Sequence, residues 1–141
     1  MLTTVEKVLF LQDMDIFEYT ATEGLAHLAA ITEELTLPAG EVIFREGDLP
    51  DAMFVVIDGQ VKMTRNGQEV MVAGSKEVFG TWALFDEEPR VVTATTIDEC
   101  RVLKIDKEDF IDLLADNVRI TQSVLKTMVI RLRSLMTRVG R

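Results

Sequence analysis

A glycine and an arginine ten residues apart are the residues of this sequence best suited to binding a charged ligand. Gly80 ends an apolar run, and the segment after it predicts a short helical turn whose first backbone N–H groups lack partners. Such N–H groups, with the local dipole, favour an anion. Arg90 follows Pro89 at the start of the next predicted strand, and a guanidinium can hold a phosphate through two parallel hydrogen bonds. The spacing therefore predicts a site for one phosphate.

Residues suited to catalysis or metal binding are few. The single histidine, His27, falls within a predicted helix, and the single cysteine is Cys100. A metal centre of the β-barrel type needs a cluster of histidines and carboxylates on strands, and no serine or cysteine here has an evident base to activate it. No nucleotide-hydrolysing P-loop pattern occurs. We therefore predict no catalytic residues and no metal site, and a domain that senses or signals without enzyme activity.

The composition predicts one globular domain. The 141 residues are 48% hydrophobic and 28% charged, which suits a single core. One cysteine fits a reducing compartment, and no run approaches the roughly 18 apolar residues of a membrane span. We expect a cytoplasmic location, either for the chain itself or for the soluble part of a larger or membrane-attached protein.

The charge is distributed unevenly along the chain. Residues 1–116 carry 9 basic and 24 acidic side chains, whereas residues 117–141 carry 6 basic and no acidic ones, for a net charge of −9. An acidic body disfavours direct nucleic-acid binding, because phosphates are repelled at long range. The basic tail is either a solvated helix face or a contact for an acidic protein or lipid surface. Its members are Arg119, Lys126, Arg131, Arg133, Arg138 and Arg141.

The pattern of apolar residues predicts three segments of one domain. Residues 1–33 read as two helices, the first with a capping box of Thr3 and Glu6. Residues 34–105 alternate short apolar runs with turn residues, as in an all-β roll, barrel or sandwich. Asp58-Gly59 and Asn66-Gly67 are hairpin signals, because their turns need positive φ. The predicted strands are 35–37, 42–44, 53–57, 61–64, 70–73, 91–96 and 100–105.

Residues 106–141 predict two further helices. Asp106 caps the first, and Asn117 marks the joint to a long last helix. That helix carries an apolar seam at heptad-like spacing, which fits either a coiled-coil dimer or packing on its own domain. The seam residues are Val118, Leu125, Met128, Leu132, Leu135 and Val139.

Residues 79–93 resemble the phosphate-binding cassette of cyclic nucleotide-binding domains, the family of catabolite-activator and protein-kinase-A regulatory proteins. The family pattern is close to FGE-L-A-L-L, a spacer, then PR-A/S-A-T. Segments 38–48 and 53–61 resemble the family's first β-roll turns and its strand followed by G-x-V. The cassette residues that match are Phe79, Gly80, Ala83, Leu84, Pro89, Arg90 and Thr93.

This resemblance implies a mainly β fold: an eight-stranded β-roll of jelly-roll type with N-terminal helices, a short cassette helix and a long C-terminal helix. It implies cyclic AMP or cyclic GMP as ligand, with Arg90 on the cyclic phosphate and the N–H groups of Trp82 and Ala83 assisting. The last helix would serve as lid or dimerisation helix. The implied ligand-binding residues are Gly80, Thr81, Trp82, Ala83, Arg90, Val91 and Val92.

The cassette departs from the family pattern, so it is degenerate. Thr81 replaces the glutamate that accepts hydrogen bonds from the ribose 2′-hydroxyl. Val91 and Val92 are bulky where small residues let the ligand approach. Trp82 replaces a leucine, and either fills part of the pocket or packs in the core. The acidic residues 86–88 either fold back on Arg90 or form a solvated loop.

Three hypotheses of function follow. The chain is a sensor of a cyclic nucleotide or another small phosphate, or it is a ligand-free degenerate domain that mediates dimers or docking. Alternatively it belongs to a transcription regulator, whose helix-turn-helix would follow the last helix beyond Arg141. In each case we expect other domains of a longer protein as partners.

Overall fold

The computed structural model describes residues 1–138, which form eight strands and four α-helices. The strands make two antiparallel four-stranded sheets, in the orders β1-β8-β3-β6 and β2-β7-β4-β5. This confirms the predicted eight-stranded, mainly β fold with flanking helices. The strands are β1 Thr32–Leu37, β2 Val42–Phe44, β3 Ala52–Asp58, β4 Val61–Arg65, β5 Gln68–Ala73, β6 Val78–Phe79, β7 Thr93–Thr96 and β8 Cys100–Asp106.

The strand periodicity explains the core of the β-structure. On β4, Val61 and Met63 are buried while Lys62 and Thr64 are half-buried, as their alternation predicts. Both sheets contribute buried apolar residues to one cluster, in which the rings of Phe54 and Phe79 stack with centroids 5.1 Å apart. Such rings are the bulkiest part of the cluster, and they lie beside the segment that carries Gly80.

Of the two hairpins predicted from turn residues, one forms and the other does not. Asn66 and Gly67 have φ of 53° and 80° and join β4 to β5, so the predicted hairpin is confirmed. The hairpin predicted at Asp58-Gly59 is wrong, because β3 pairs with β6 and β8 while β4 pairs with β5 and β7. The chain there crosses from one sheet to the other. Only Gly59 of that pair has positive φ, and its backbone lies against Cys100.

The strand predicted from Val91 begins later, at Thr93. The backbone of Arg90 is engaged elsewhere: its N–H donates to Asp48 O and its carbonyl accepts from Gly47 N, both at 2.8 Å. Pro89 has no N–H to donate to a ladder. Arg90 therefore lies in the loop before the strand and is fixed by backbone bonds to another loop.

The chain divides into two compact units. One is residues 31–111 with Met1, which contains the strands, and the other is residues 2–30 with the residues from Asp112 onward. The predicted capping box on the first helix is confirmed, and Asp106 accepts from Asp109 N at 3.1 Å to cap the third helix. His27 is exposed on its helix. The helices are α1 Thr4–Gln12, α2 Thr22–Ile31, α3 Lys107–Asp116 and α4 Val118–Arg138.

The long helix α4 does not bury its apolar seam within the chain. Its buried residues are Ile120, Val124 and Thr127, which follow the spacing of a different helix face. Of the seam, Met128 is half-buried, Val139 lies outside the described residues, and the others are exposed. Packing of the seam on its own domain is therefore wrong. The exposed seam residues are Val118, Leu125, Leu132 and Leu135.

Candidate ligand-binding site

The β-structure holds a cavity of about 390 Å³, a volume within the usual range for small-molecule sites. All seven residues predicted to bind the ligand line it, so the fold brings them together around one space. These are Gly80, Thr81, Trp82, Ala83, Arg90, Val91 and Val92. Both ends of the predicted cassette therefore reach the same cavity, although Gly80 and Arg90 lie ten positions apart in the chain.

Gly80 allows the chain to turn and the arginine to come close. It adopts the left-handed conformation with φ of 75° and immediately precedes the short 3-10 helix Thr81–Leu84, the cassette helix. A Cβ atom at this position would lie 2.7 Å from a terminal guanidinium nitrogen of Arg90. Only a residue without a side chain accommodates both features.

Arg90 is a buried cation whose hydrogen bonds are incomplete. Its side chain is 5% exposed. Nη2 donates to Ala52 O at 2.6 Å and lies 3.5 Å from Asp51 Oδ1, at the limit of a hydrogen bond. The guanidinium carbon lies 4.0 Å from the Phe44 ring centroid, a cation–π contact. Nε is buried with no hydrogen-bond partner among the described residues.

The electrostatics of Arg90 favour an incoming anion. Burial lowers the pKa of the guanidinium, while the nearby carboxylates of Asp51 and Asp48 raise it. An arginine keeps its charge at any relevant pH because the guanidinium group is a very weak acid. A buried charge with an unpartnered donor is costly, and a bound anion would relieve that cost.

The cassette helix uses one of its two expected N–H groups internally. Ala83 N donates to Gly80 O at 3.1 Å, which closes the turn. Among residues 1–138, the backbone N–H of Trp82 has no hydrogen-bond partner. The indole of Trp82 is 67% exposed at the cavity, so packing in the core is wrong for this residue. The two residues that follow it, Ala83 and Leu84, are buried.

The acidic spacer does not fold back on Arg90, contrary to one of the alternatives. Glu87 instead accepts from Lys107 Nζ at 2.8 Å, and the same amine donates to Asp86 O at 2.5 Å. The carboxylate beside Arg90 is Asp51, which sequence reasoning missed. It lies 39 residues earlier in the chain, so no local pattern could have indicated it.

Apolar residues from the neighbouring strands complete the lining, and sequence reasoning also missed them as site residues. They come from β2, β4, β5 and β6 and contribute Phe44, Met63, Val70, Met71, Val78 and Phe79. The adjacent pair Val70-Met71 was the available signal, since two neighbouring apolar residues break the alternation of a half-exposed strand.

The sequence around this cavity matches a known family of domains. The cyclic nucleotide-binding domain family matches residues 34–117, which include every strand except the first two residues of β1. The chain belongs to the cyclic nucleotide-binding domain family. Its members among known proteins include regulators of transcription and of kinases.

Two relatives in the family illustrate this range. A CRP-like cAMP-activated global transcriptional regulator of Mycobacterium tuberculosis is 31% identical over 123 residues, which cover 84% of this chain and 55% of that protein. A cAMP-dependent protein kinase regulatory subunit of Emericella nidulans is 30% identical over 107 residues, 74% of this chain and 26% of that protein. The chain thus spans about half, or less, of the length of these relatives.

A solved structure has the same fold. The N-terminal domain of a transcriptional regulator from Streptomyces coelicolor is 32% identical, with a TM-score of 0.82, over 89% of this chain and 94% of that one. Among the residues described for this chain, no group of histidine, cysteine and carboxylate side chains could hold a metal ion. Residues 1–138 also contain no helix that is long and apolar enough to cross a membrane.

Proposed function

We propose that this chain is a regulatory domain that binds a small phosphate-bearing ligand, of the cyclic nucleotide class, in the cavity beside Arg90. The observation that carries the proposal is the buried guanidinium, which lines the cavity and has an unpartnered Nε. Its backbone is fixed by bonds to residues 47 and 48, so the cation is already in place before a ligand arrives. Preorganisation of this kind lowers the cost of binding.

Thr81 weakens the case for cyclic AMP itself. It occupies the position of the family's ribose-binding glutamate, and it offers one neutral hydroxyl in place of a carboxylate. Losing a hydrogen bond to a charged acceptor costs about 1.5–3 kcal/mol, or about ten- to a hundredfold in affinity. Cyclic nucleotides are therefore expected to bind more weakly than in a complete cassette, and without discrimination at the 2′-hydroxyl.

Isothermal titration with cyclic AMP and cyclic GMP tests the proposal. We expect saturable heat that disappears in Arg90→Ala, because that substitution removes the buried cation. Arg65→Ala is the matched control, since Arg65 is an exposed arginine at the end of β4 and does not line the cavity. Binding that survives in Arg90→Ala would contradict the proposed site. Thermal melts of both variants establish that they are folded.

A second candidate function is dimerisation through α4, which suits the ligand-free degenerate domain. The supporting observation is the exposed seam, in which Val118, Leu125 and Leu132 recur every seven residues. A second copy of the chain would bury these side chains as a coiled coil does. The hydrogen bond of Arg90 to Ala52 O fits this candidate too, because part of the guanidinium is satisfied without a ligand.

Sedimentation equilibrium measures the mass of the chain in solution and so tests whether it dimerises. Leu132→Glu is expected to shift the chain toward monomer, because it places a charge in the seam. The matched control is Ser134→Glu, which adds the same charge at an exposed position of α4 outside the seam. Equal dissociation in both variants, or a monomeric unmodified chain, would count against dimerisation through this seam.

The setting of the domain is also a proposal. Because the chain spans about half of its regulatory relatives, we expect it to act with further domains of a longer protein. Regulation without catalysis is in keeping with those relatives, and the acidic body disfavours direct contact with nucleic acid. A cytoplasmic location and the organisation of residues 1–33, 34–105 and 106–141 into one domain stay predictions.

A further inference from the structure

The cavity has a wall of exposed apolar side chains. Val70 and Met71 on β5 are 56% and 45% exposed, and Trp82 and Val91 at the cassette are exposed as well. All four line the cavity. Large apolar side chains that cluster on an exposed surface mark a binding site more often than scattered ones do. The wall therefore indicates that the ligand carries an apolar body.

A β-bulge directs two neighbouring residues of β5 to this wall. Met63 pairs with Met71 and the next residue, Thr64, pairs with Glu69, so Val70 is an extra residue on β5. In a regular strand, Val70 and Met71 would face opposite sides of the sheet. A bulge re-aims side chains, and here both line the same cavity. The irregularity thus enlarges the apolar wall.

Polar groups of the cavity are arranged for one anion and little else. Among the described residues that line the cavity, Arg90 is the only one with a positive charge. Thr81 adds a residue with a hydroxyl to the lining, and the exposed acidic residues Asp86 and Glu88 line the cavity from the spacer. Asp86 Oδ1 already accepts from Glu88 N at 3.2 Å. Because these carboxylates repel an anion, the negatively charged group of a ligand is favoured only beside Arg90.

We infer that the ligand of this cavity is an aryl phosphate, in which a single phosphate binds Arg90 and a flat apolar group without a ribose lies against Val70, Met71 and Trp82. The inference rests on the proposed function for its site, Arg90 with a bound phosphate, and replaces the cyclic nucleotide with an aryl phosphate. A ribose would bring hydroxyls to a place where Thr81 and apolar side chains leave them poorly partnered, whereas an aromatic ring buries the exposed wall.

Isothermal titration of the full chain with 2-naphthyl phosphate and with cyclic AMP tests this inference. We expect 2-naphthyl phosphate to bind about tenfold more tightly, because it avoids the unpaired hydroxyls. Inorganic phosphate and neutral 2-naphthol are each expected to bind at least about tenfold more weakly than 2-naphthyl phosphate, since each lacks one half of the ligand.

A pair of matched variants locates the apolar body. Met71→Ser is expected to weaken 2-naphthyl phosphate about three- to tenfold, because the ring loses an apolar contact. Ile97→Ser is the control: Ile97 is 46% exposed, like Met71, but does not line the cavity. Equal effects of the two variants, or binding of 2-naphthol as tight as that of its phosphate, would overturn the inference.

The same titrations separate this inference from the proposed function. If cyclic AMP binds more tightly than 2-naphthyl phosphate and Arg90→Ala abolishes its binding, the inference fails and the proposed function stands. If neither compound binds, both fail, and the ligand-free domain is the remaining candidate.

Discussion

The arginine side and the apolar side of the cavity differ in how firmly the fold holds them. Arg90 is buried, its backbone is bonded to residues 47 and 48, and its guanidinium contacts Ala52 O and the Phe44 ring. Val70 and Met71 lie on β5, an edge strand of its sheet, with their side chains exposed. The proposed anion site is therefore formed in advance, whereas the proposed apolar contacts involve side chains that are exposed.

This difference has a consequence for substitutions. A change on the arginine side disturbs buried contacts, so it alters both the stability of the domain and its binding. A change on the apolar side removes exposed atoms, so it alters binding while the free energy of unfolding stays nearly constant. Three substitutions of decreasing expected effect test this contrast.

The largest effect is expected for Thr81→Glu. The new carboxylate restores an acceptor for the ribose 2′-hydroxyl, and cyclic AMP affinity should rise about ten- to a hundredfold in titration calorimetry. The gain should be absent for 2′-deoxy cyclic AMP, which lacks the hydroxyl. No gain with cyclic AMP would mean that Trp82 and the two valines block the nucleotide sterically, and that the apolar side decides which ligand fits.

Gly80→Ala should destabilise the domain by about 2 kcal/mol, because alanine is strained at positive φ and its Cβ would meet Arg90. Gly40→Ala is the matched control, since Gly40 has a similar φ of 78° and no atom within 4 Å of an added Cβ. Denaturant unfolding should show the smaller loss for Gly40→Ala, and only Gly80→Ala should weaken anion binding. An equal loss of unfolding free energy in both variants would show that contact of the new Cβ with Arg90 does not destabilise the domain.

The smallest effect is expected for Val91→Ser, on the apolar side. Val91 is exposed at the cavity, so the free energy of unfolding should change by less than about 0.5 kcal/mol. Cyclic AMP affinity should rise a few-fold, because the smaller side chain leaves more room for the nucleotide. Denaturant unfolding and calorimetry on the same sample check both parts. A large loss of stability would contradict the contrast between the two sides.

Local patterns were sufficient to predict much of the fold. The hairpin at Asn66-Gly67 was predicted because two residues with positive φ specify that turn almost alone. The same reasoning failed at Asp58-Gly59, where pairing of β3 with β8 decides the path of the chain. Strand pairing depends on residues more than 40 positions away, which a turn signal does not contain. The same limit explains the late start of β7, since Arg90 bonds to a loop far behind it in sequence.

The sequence by itself determined most of the strands, apart from β6 and the start of β7, and the caps of α1 and α3, because periodicity and capping are local properties. Its resemblance to cyclic nucleotide-binding domains implied the seven residues that the fold brings to one cavity. The tertiary structure alone decided which partners those residues have. Asp51 and Ala52 contact Arg90 although they lie 39 and 38 positions before it in the chain. A bulge in the pairing of β4 with β5 turns Val70 with Met71 to the wall of the same cavity. No window of neighbouring residues encodes the partners of Arg90, because they come from a distant part of the chain.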